Sequence, residues 1–199
     1  MKKSIFAVAL LAAMAQPVLA QEWFVRAGAT YVDPSSDNGK LAGLPADISS
    51  DTQLGITFGY HLNPNVAFEL LAATPFSHSV SLQGLGKVAN FKQLPPTLNV
   101  QYYFMPEAKV SPYIGAGFNY TMVYDVDAVG ALAGQHVEIG DSWGMDGQLG
   151  LRFNFSNNWD MTIDARYIGI DAGVKLNGVG IGTAEVNPMV YSLMLGKRF

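Results

Sequence analysis

The sequence contains no cysteine, little charge and, beyond its N-terminal stretch, no long hydrophobic run. Without cysteine the chain cannot form a disulfide framework, a thiolate metal site or a thiol nucleophile. Charged residues make up only 14% of the chain and no basic patch is visible, so we expect no nucleic-acid partner. Hydrophobic residues nevertheless reach 49%, which is high for a disordered chain. The composition therefore excludes disorder and a bundle of membrane-spanning helices.

The N-terminal stretch has the organisation of a secretory signal peptide. A start with two lysines precedes an apolar run over residues 5–15, and small residues lead to an expected cleavage site after Ala20. Pro17 interrupts the run before it reaches the ~20 apolar residues that a membrane helix needs. The sequence predicts a cleaved signal peptide at residues 1–20 and one domain at residues 21–199.

Eight segments of the remaining chain alternate apolar and polar residues. In one of them Leu54, Ile56 and Phe58 lie on one side of an extended chain, while glutamine, glycine and threonine lie on the other. A period of two over about 10 residues indicates β-strands. The segments cover residues 23–32, 51–61, 66–76, 94–104, 113–124, 143–155, 159–171 and 188–199.

The connections between these segments alternate in length. Three are short and contain turn-forming residues, whereas four are long. The short ones cover residues 62–65, 105–112 and 156–158, and the long ones residues 34–50, 77–93, 125–141 and 172–187. This arrangement predicts an all-β fold: an eight-stranded antiparallel up-and-down transmembrane β-barrel with short periplasmic turns and long extracellular loops.

The charged residues of the strands indicate which face meets lipid. Eight that fall on the polar side are Arg26, Glu69, Asp146, Arg152, Asp160, Asp164, Arg166 and Arg198. Lys197 falls on the other side, near the chain end. A charge that faces lipid at the bilayer centre costs about 2–4 kcal/mol, so we expect the apolar side to face lipid. The alternative is a soluble, lipocalin-like barrel with its apolar side inward. The missing disulfides, the alternating loop lengths and the terminal Phe199 favour the membrane barrel.

The inward-facing residues divide into a charged zone and an apolar zone. Buried charges are tolerated when they are paired, so those near the periplasmic end should pair and form a lumen plug: Arg26, Glu69, Arg152, Asp160, Asp164, Arg166 and Arg198. Apolar residues higher in the lumen are candidates for a substrate path: Leu71, Ala73, Pro75, Val123, Ile168, Ile170 and Val190. A charged plug below an apolar cup suits hydrophobic solutes whose exit is not straight through the barrel. Ordinary packing under the loops is the alternative interpretation.

Three prolines lie near the same end of the third and fourth segments. Proline cannot donate a hydrogen bond to a β-ladder, so Pro75, Pro95 and Pro96 predict a local gap in the pairing. One hypothesis is that this gap is a lateral opening from the lumen to the outer leaflet. The alternative is that the ladder simply ends where the loop begins.

Several motifs resemble those of the OmpW family of small outer-membrane proteins. They are LLAATPFSH at residues 70–78, LPPTLNVQYYF at 94–104, PYIGAGFNYT at 112–121, DSWG at 141–144 and GKRF at 196–199. The resemblance runs from the first strand to the last residue and implies a location in the bacterial outer membrane. It also implies a narrow barrel, blocked toward the periplasm, from which small hydrophobic molecules leave sideways into the membrane. Phe199, preceded by alternating leucines, looks like the signal read by the barrel assembly machinery.

These observations lead to one preferred function and one alternative. We expect passive, porin-like uptake of small hydrophobic molecules, with outer-membrane lipid, the solute and the barrel assembly machinery as partners and no required oligomer. The alternative is a structural or receptor barrel, used in adhesion, without transport. The histidines His61, His78 and His136 are scattered, and no catalytic constellation is visible, so we expect no metal, cofactor or enzymatic activity. Polar solutes stay possible because Asp146 and Gln148 also face inward.

Overall fold

The computed structural model describes residues 22–199, which form antiparallel β-strands and one short 3₁₀ helix. The expected signal peptide lies outside the described residues. Within them, no helix is long and apolar enough to cross a membrane. The strands in chain order are β1 (Glu22–Asp33), β2 (Lys40–Leu41), β3 (Leu44–Ile48), β4 (Asp51–Asn63), β5 (Val66–Ala73), β6 (Phe76–Leu82), β7 (Gly86–Leu94), β8 (Thr97–Tyr103), β9 (Val110–Ala128), β10 (Val137–Ile139), β11 (Ser142–Asn154), β12 (Trp159–Ile168), β13 (Asp171–Leu176), β14 (Val179–Glu185) and β15 (Met189–Arg198).

Eight of these strands form the wall of a closed barrel. Their order around the wall is β1, β4, β5, β8, β9, β11, β12 and β15, and every neighbouring pair is antiparallel. Pairing of β15 with β1 closes the wall, so the barrel has no free edge strand. The structure confirms the predicted eight-stranded antiparallel barrel.

The outer face of the wall is apolar and exposed. Leu54, Phe118 and Leu149 are 50–65% exposed, and the residues next to them in sequence turn into the barrel. Exposed apolar side chains recur on all eight wall strands, which fits contact with lipid rather than water. Aromatic rings frame this surface: Trp23 stacks on Phe58 at 5.0 Å near one end of the wall. The predicted orientation of the two faces is therefore present.

The four long connections, predicted as loops, contain seven further strands. These are β2, β3, β6, β7, β10, β13 and β14, and with the upper part of β9 they form a curled sheet that we call the extension. The sheet order is β10, β13, β14, β2, β3, β6, β7 and β9. The 19 residues of β9 are far more than the ~9–11 that cross a bilayer, so this strand belongs to both the wall and the extension.

Candidate functional site

A cluster of buried aliphatic and aromatic side chains fills the upper lumen and the inside of the extension. We call it the upper cluster, and it comprises Val32, Leu41, Ala46, Ile48, Phe76, Val80, Leu82, Val88, Ala89, Phe91, Val137, Ile168, Ile170, Val174, Ala184, Val186 and Val190. Side chains around it enclose a cavity of about 30 Å³. This volume is about that of one water molecule, so the cluster is closely packed.

The predicted path residues meet this cluster to different degrees. Ile168, Ile170 and Val190 belong to it, and each is at most 2% exposed. Val123 and Ala73 are partly buried and pack against it. These five residues therefore share one apolar environment at the top of the barrel.

Two of the predicted path residues lie outside the upper cluster. Leu71 is buried lower in the lumen, where it pairs with Thr57 and Thr97 in the β-ladder. Pro75 was predicted to face the lumen but is exposed, so this prediction is wrong. Conversely, the alternation of residues 66–76 predicts that Phe76 faces lipid, yet it is 1% exposed within the upper cluster.

The wall contains a break in its pairing that explains both errors. The ladder of β5 and β8 ends at Leu71 and Thr97, and pairing resumes between β6 and β7 at Phe76 and Gln93. Between these pairs, the four residues 72–75 face only the three residues 94–96. The extra residue acts like a β-bulge, because it shifts the alternation of one strand by one position. Phe76 therefore turns inward although an unbroken alternation would point it at lipid.

The break is open on one side only. The backbone N–H of Thr74 still donates to the carbonyl oxygen of Leu54 on β4 at 2.9 Å, and a carboxylate oxygen of Asp51 accepts from the backbone N–H of Ser77 at 2.8 Å. Four residues at about 3.3 Å each give an unpaired edge of roughly 13 Å toward residues 94–96. Of the two prolines there, Pro95 is buried and Pro96 is partly buried.

A network of ion pairs crosses the lower lumen. Glu69 is its centre and accepts from Arg166 at 2.7 Å and from Arg26 at 3.3 Å. Arg26 also pairs with Asp160 at 2.8 Å, and Arg166 pairs with Asp164 at 3.1 Å. All five side chains are at most 5% exposed, so each charge depends on its partners rather than on water.

The two remaining arginines of the predicted plug lie toward the periplasmic mouth. Arg198 lies 3.6 Å from Asp160 and pairs with a residue at the start of β1. Arg152 was expected to pair with a carboxylate, but it forms no ion pair with any described residue. It donates instead to the carbonyl oxygen of Pro106 at 3.0 Å and lies over the ring of Tyr103 at 4.2 Å. The carbonyl and the ring replace the missing anion.

Polar side chains, most of them amides, fill the middle of the lumen between the ion pairs and the upper cluster. Asn99 donates to Asp146 at 3.0 Å, and Gln101 donates to Gln148 at 2.9 Å. The inward direction predicted for Asp146 and Gln148 is therefore observed. The lumen thus consists of a charged layer, an amide-rich layer and an apolar layer, in that order from the periplasmic end.

Sequence reasoning missed the part of the upper cluster that the extension contributes. Val80 and Phe91 lie in the connection predicted as a loop, residues 77–93, although Val80 alternates with serines. Short runs of alternation, such as residues 78–82, were the signal that could have identified them.

Comparison with known proteins is consistent with this architecture. A family model described as "OmpW family" matches residues 20–199. The chain is similar to Outer membrane protein W of Vibrio cholerae, with 36% identity over 220 aligned residues and 100% coverage of both chains. It is also similar to the Dibenzothiophene metabolism operon protein PahQ of Pseudomonas aeruginosa, with 28% identity, 100% coverage of this chain and 99% of PahQ. Among solved structures, the outer membrane protein OprG of Pseudomonas aeruginosa matches with a TM-score of 0.80 and 36% identity, covering 90% of this chain and 96% of OprG.

Proposed function

The chain belongs to the OmpW family of outer-membrane β-barrel proteins, and we propose that it mediates passive uptake of small hydrophobic molecules. The observation that supports this proposal is the upper cluster, an apolar region inside a barrel that lies in the outer membrane. Binding sites for small molecules are mostly apolar and concave. Ile168, Ile170 and Val190 would line the entry of the solute, together with Val123 and Ala73.

The charged layer would act as the plug that prevents straight passage into the periplasm. Eight strands enclose a lumen that side chains can fill, and here Glu69, Arg26 and Arg166 are packed and paired within it. A hydrophobic solute that crossed this layer would have to separate buried ion pairs, which is costly. Lateral exit avoids that cost.

The break in the wall is the proposed lateral opening. Between residues 72–75 and 94–96 no ladder bonds must be broken, so separating the two strands costs less there than elsewhere in the wall. Pro95 keeps this edge unpaired because it has no backbone N–H to donate. The backbone of Pro96 faces β9 instead, where its carbonyl oxygen accepts from the backbone N–H of Tyr120 at 3.1 Å. The name of the relative PahQ connects that protein to the metabolism of an aromatic sulfur heterocycle, which fits a family role with apolar solutes.

One observation favours the alternative of a structural or receptor barrel without transport. The cavity in the upper cluster has a volume of about 30 Å³, which is much smaller than a hydrocarbon solute. Uptake therefore requires that side chains of the upper cluster move apart when a solute enters. A purely structural barrel needs no such motion, and its long extension would serve as an adhesive or receptor surface.

The terminal Phe199 is the proposed signal for the barrel assembly machinery. Its ring is 67% exposed, while its backbone N–H donates to the carbonyl oxygen of Trp23 at 2.9 Å. The residue thus holds the end of β15 against β1 and leaves its side chain accessible. Deleting Phe199 would test this role by the yield of folded protein in the outer membrane.

Uptake can be tested in vesicles whose outer leaflet is lipopolysaccharide, which slows direct partitioning of hydrophobic solutes. The probe is N-phenylnaphthylamine, whose fluorescence rises when it enters hydrocarbon. Replacing Pro95 with Val supplies a backbone donor on the side of the break, and replacing Pro96 with Thr supplies one on the side of β9. The double variant should close the break, so the rate of probe entry should fall toward that of protein-free vesicles. Pro45→Val, at an exposed site in the extension, is the matched control and should keep the wild-type rate.

The outcomes separate the two functions. If wild-type protein does not accelerate probe entry, transport is refuted and the structural role is favoured. If the wild type is active and the double variant is equally active, uptake stands but the lateral opening does not.

A further inference from the structure

Gln93 is a polar exception within the upper cluster. Among the described residues that line the cavity, every other one is hydrophobic. Gln93 lies on β7, where it pairs with Phe76 and Val123, and its side chain is 1% exposed. A buried amide in such surroundings needs hydrogen-bond partners for both its N–H and its oxygen.

Hydrogen bonding to His78 determines which way this amide points. The Nδ1 of His78 lies 2.5 Å from the carbonyl oxygen of Ser49, which can only accept, so Nδ1 carries the hydrogen. In a neutral imidazole, Nε2 is then an acceptor. The amide group of Gln93 lies 3.0 Å from this Nε2 and must present its nitrogen to it. Burial lowers the pKa of His78, which keeps the ring neutral near pH 7.

This orientation leaves the amide oxygen of Gln93 without a hydrogen-bond partner. The cavity could hold one water molecule, but a buried water typically makes two to four hydrogen bonds. A water in this cavity would find one side-chain partner, the amide oxygen of Gln93, because the other described lining residues are hydrophobic. A ligand satisfies the site better than water if it combines a single hydrogen-bond donor with an apolar body.

We propose that Gln93 makes the upper cluster selective for apolar molecules that carry one hydroxyl group, such as long-chain alcohols and phenols. The hydroxyl donates to the amide oxygen of Gln93, and the apolar body displaces the aliphatic side chains around the cavity. A hydrocarbon or an ether lacks the donor and leaves the oxygen unpaired. This inference rests on the proposed function, because it names the solute class for the same site.

Octanol and its isomer heptyl methyl ether test the proposal. They have the same atoms and nearly the same size, but only the alcohol can donate a hydrogen bond. The protein is placed in lipid nanodiscs with labelled methyl groups, and each compound is titrated while the methyl signal of Ile170 is followed. Concentrations are corrected for partitioning into protein-free nanodiscs. The alcohol should bind about tenfold more tightly than the ether, since one hydrogen bond to a buried acceptor is gained.

Two variants assign the preference to the amide. Gln93→Leu should bring the two affinities within about twofold of each other by removing the acceptor. His78→Phe keeps the amide but frees it to rotate, so its N–H can face the cavity and the ether should bind more tightly than to wild type. If His78 had only a structural role, His78→Phe would instead weaken the binding of both compounds. If one variant does not fold, the other still decides.

Each possible result in the wild type has one meaning. If both compounds shift the signal of Ile170 with equal affinity, the cavity binds solutes but the role of Gln93 is refuted. If neither compound shifts the signal, both this inference and the proposed solute site fail.

Discussion

Replacing Glu69 with Gln should destabilise the barrel strongly, because Glu69 is the shared partner of two buried arginines. The substitution keeps the shape of the side chain but removes the charge that faces Arg166 at 2.7 Å and Arg26 at 3.3 Å. Removing one partner of a buried ion pair costs about 3–5 kcal/mol. Each arginine retains a second carboxylate, Asp164 or Asp160, so we expect the lower end, about 3 kcal/mol.

The measurement is urea-induced unfolding in phospholipid vesicles, followed by tryptophan fluorescence. Glu138→Gln is the matched control, because Glu138 is half exposed and lies 4.0 Å from the exposed Lys175. Exposed pairs contribute about 0–1 kcal/mol, so the control should unfold close to wild type. If the free energies of unfolding of the two variants agree within about 1 kcal/mol, Glu69 does not stabilise the barrel through its two ion pairs.

Two further predictions concern close packing in the wall and titration in the extension. Gly117→Ala should lower the free energy of unfolding by about 1–3 kcal/mol, because a Cβ there would overlap the carbonyl oxygen of Leu98. Gly147→Ala is the control, since a Cβ there meets only open space. Equal urea midpoints for the two variants would contradict this prediction. His78 lies in the extension and burial lowers its pKa, so the unfolded chain takes up a proton first as pH falls below about 6.5. From about pH 7.5 to about pH 5.5, the free energy of unfolding of the wild type should therefore fall more than that of His78→Phe. An equal fall in the two proteins would refute the role of His78.

The barrel wall could be predicted from the sequence because one physical rule governs all eight strands. Because lipid lies outside and packed side chains lie inside, apolar and polar residues must alternate along each strand. A charge such as Arg26 or Glu69 shows which of the two sides is internal. The same reasoning placed Ile168 and Val190 in an apolar upper lumen, where the structure has them.

The extension and the break in the wall could not be predicted with the same reasoning. Strands in the extension are short and separated by turns, so their alternation is brief; β6, for example, has only seven residues. At the break, one extra residue before Phe76 reverses the faces, and sequence alone does not show which strand contains it. Arg152 illustrates a third limit, because its partner is the backbone carbonyl of Pro106 in a turn, and any residue type could supply that group.

The length of β9 has a consequence for how the surface of this protein can vary. Its lower part is bonded to β8 and its upper part to β7, so a single residue inserted between them would put the two parts out of phase and reverse the faces of one of them. Hairpin tips carry no such constraint on register; Leu85, in the turn between β6 and β7, is 46% exposed. Changes in sequence and length that alter recognition by antibodies or phage should therefore accumulate at these tips, while the strand beneath them keeps its register.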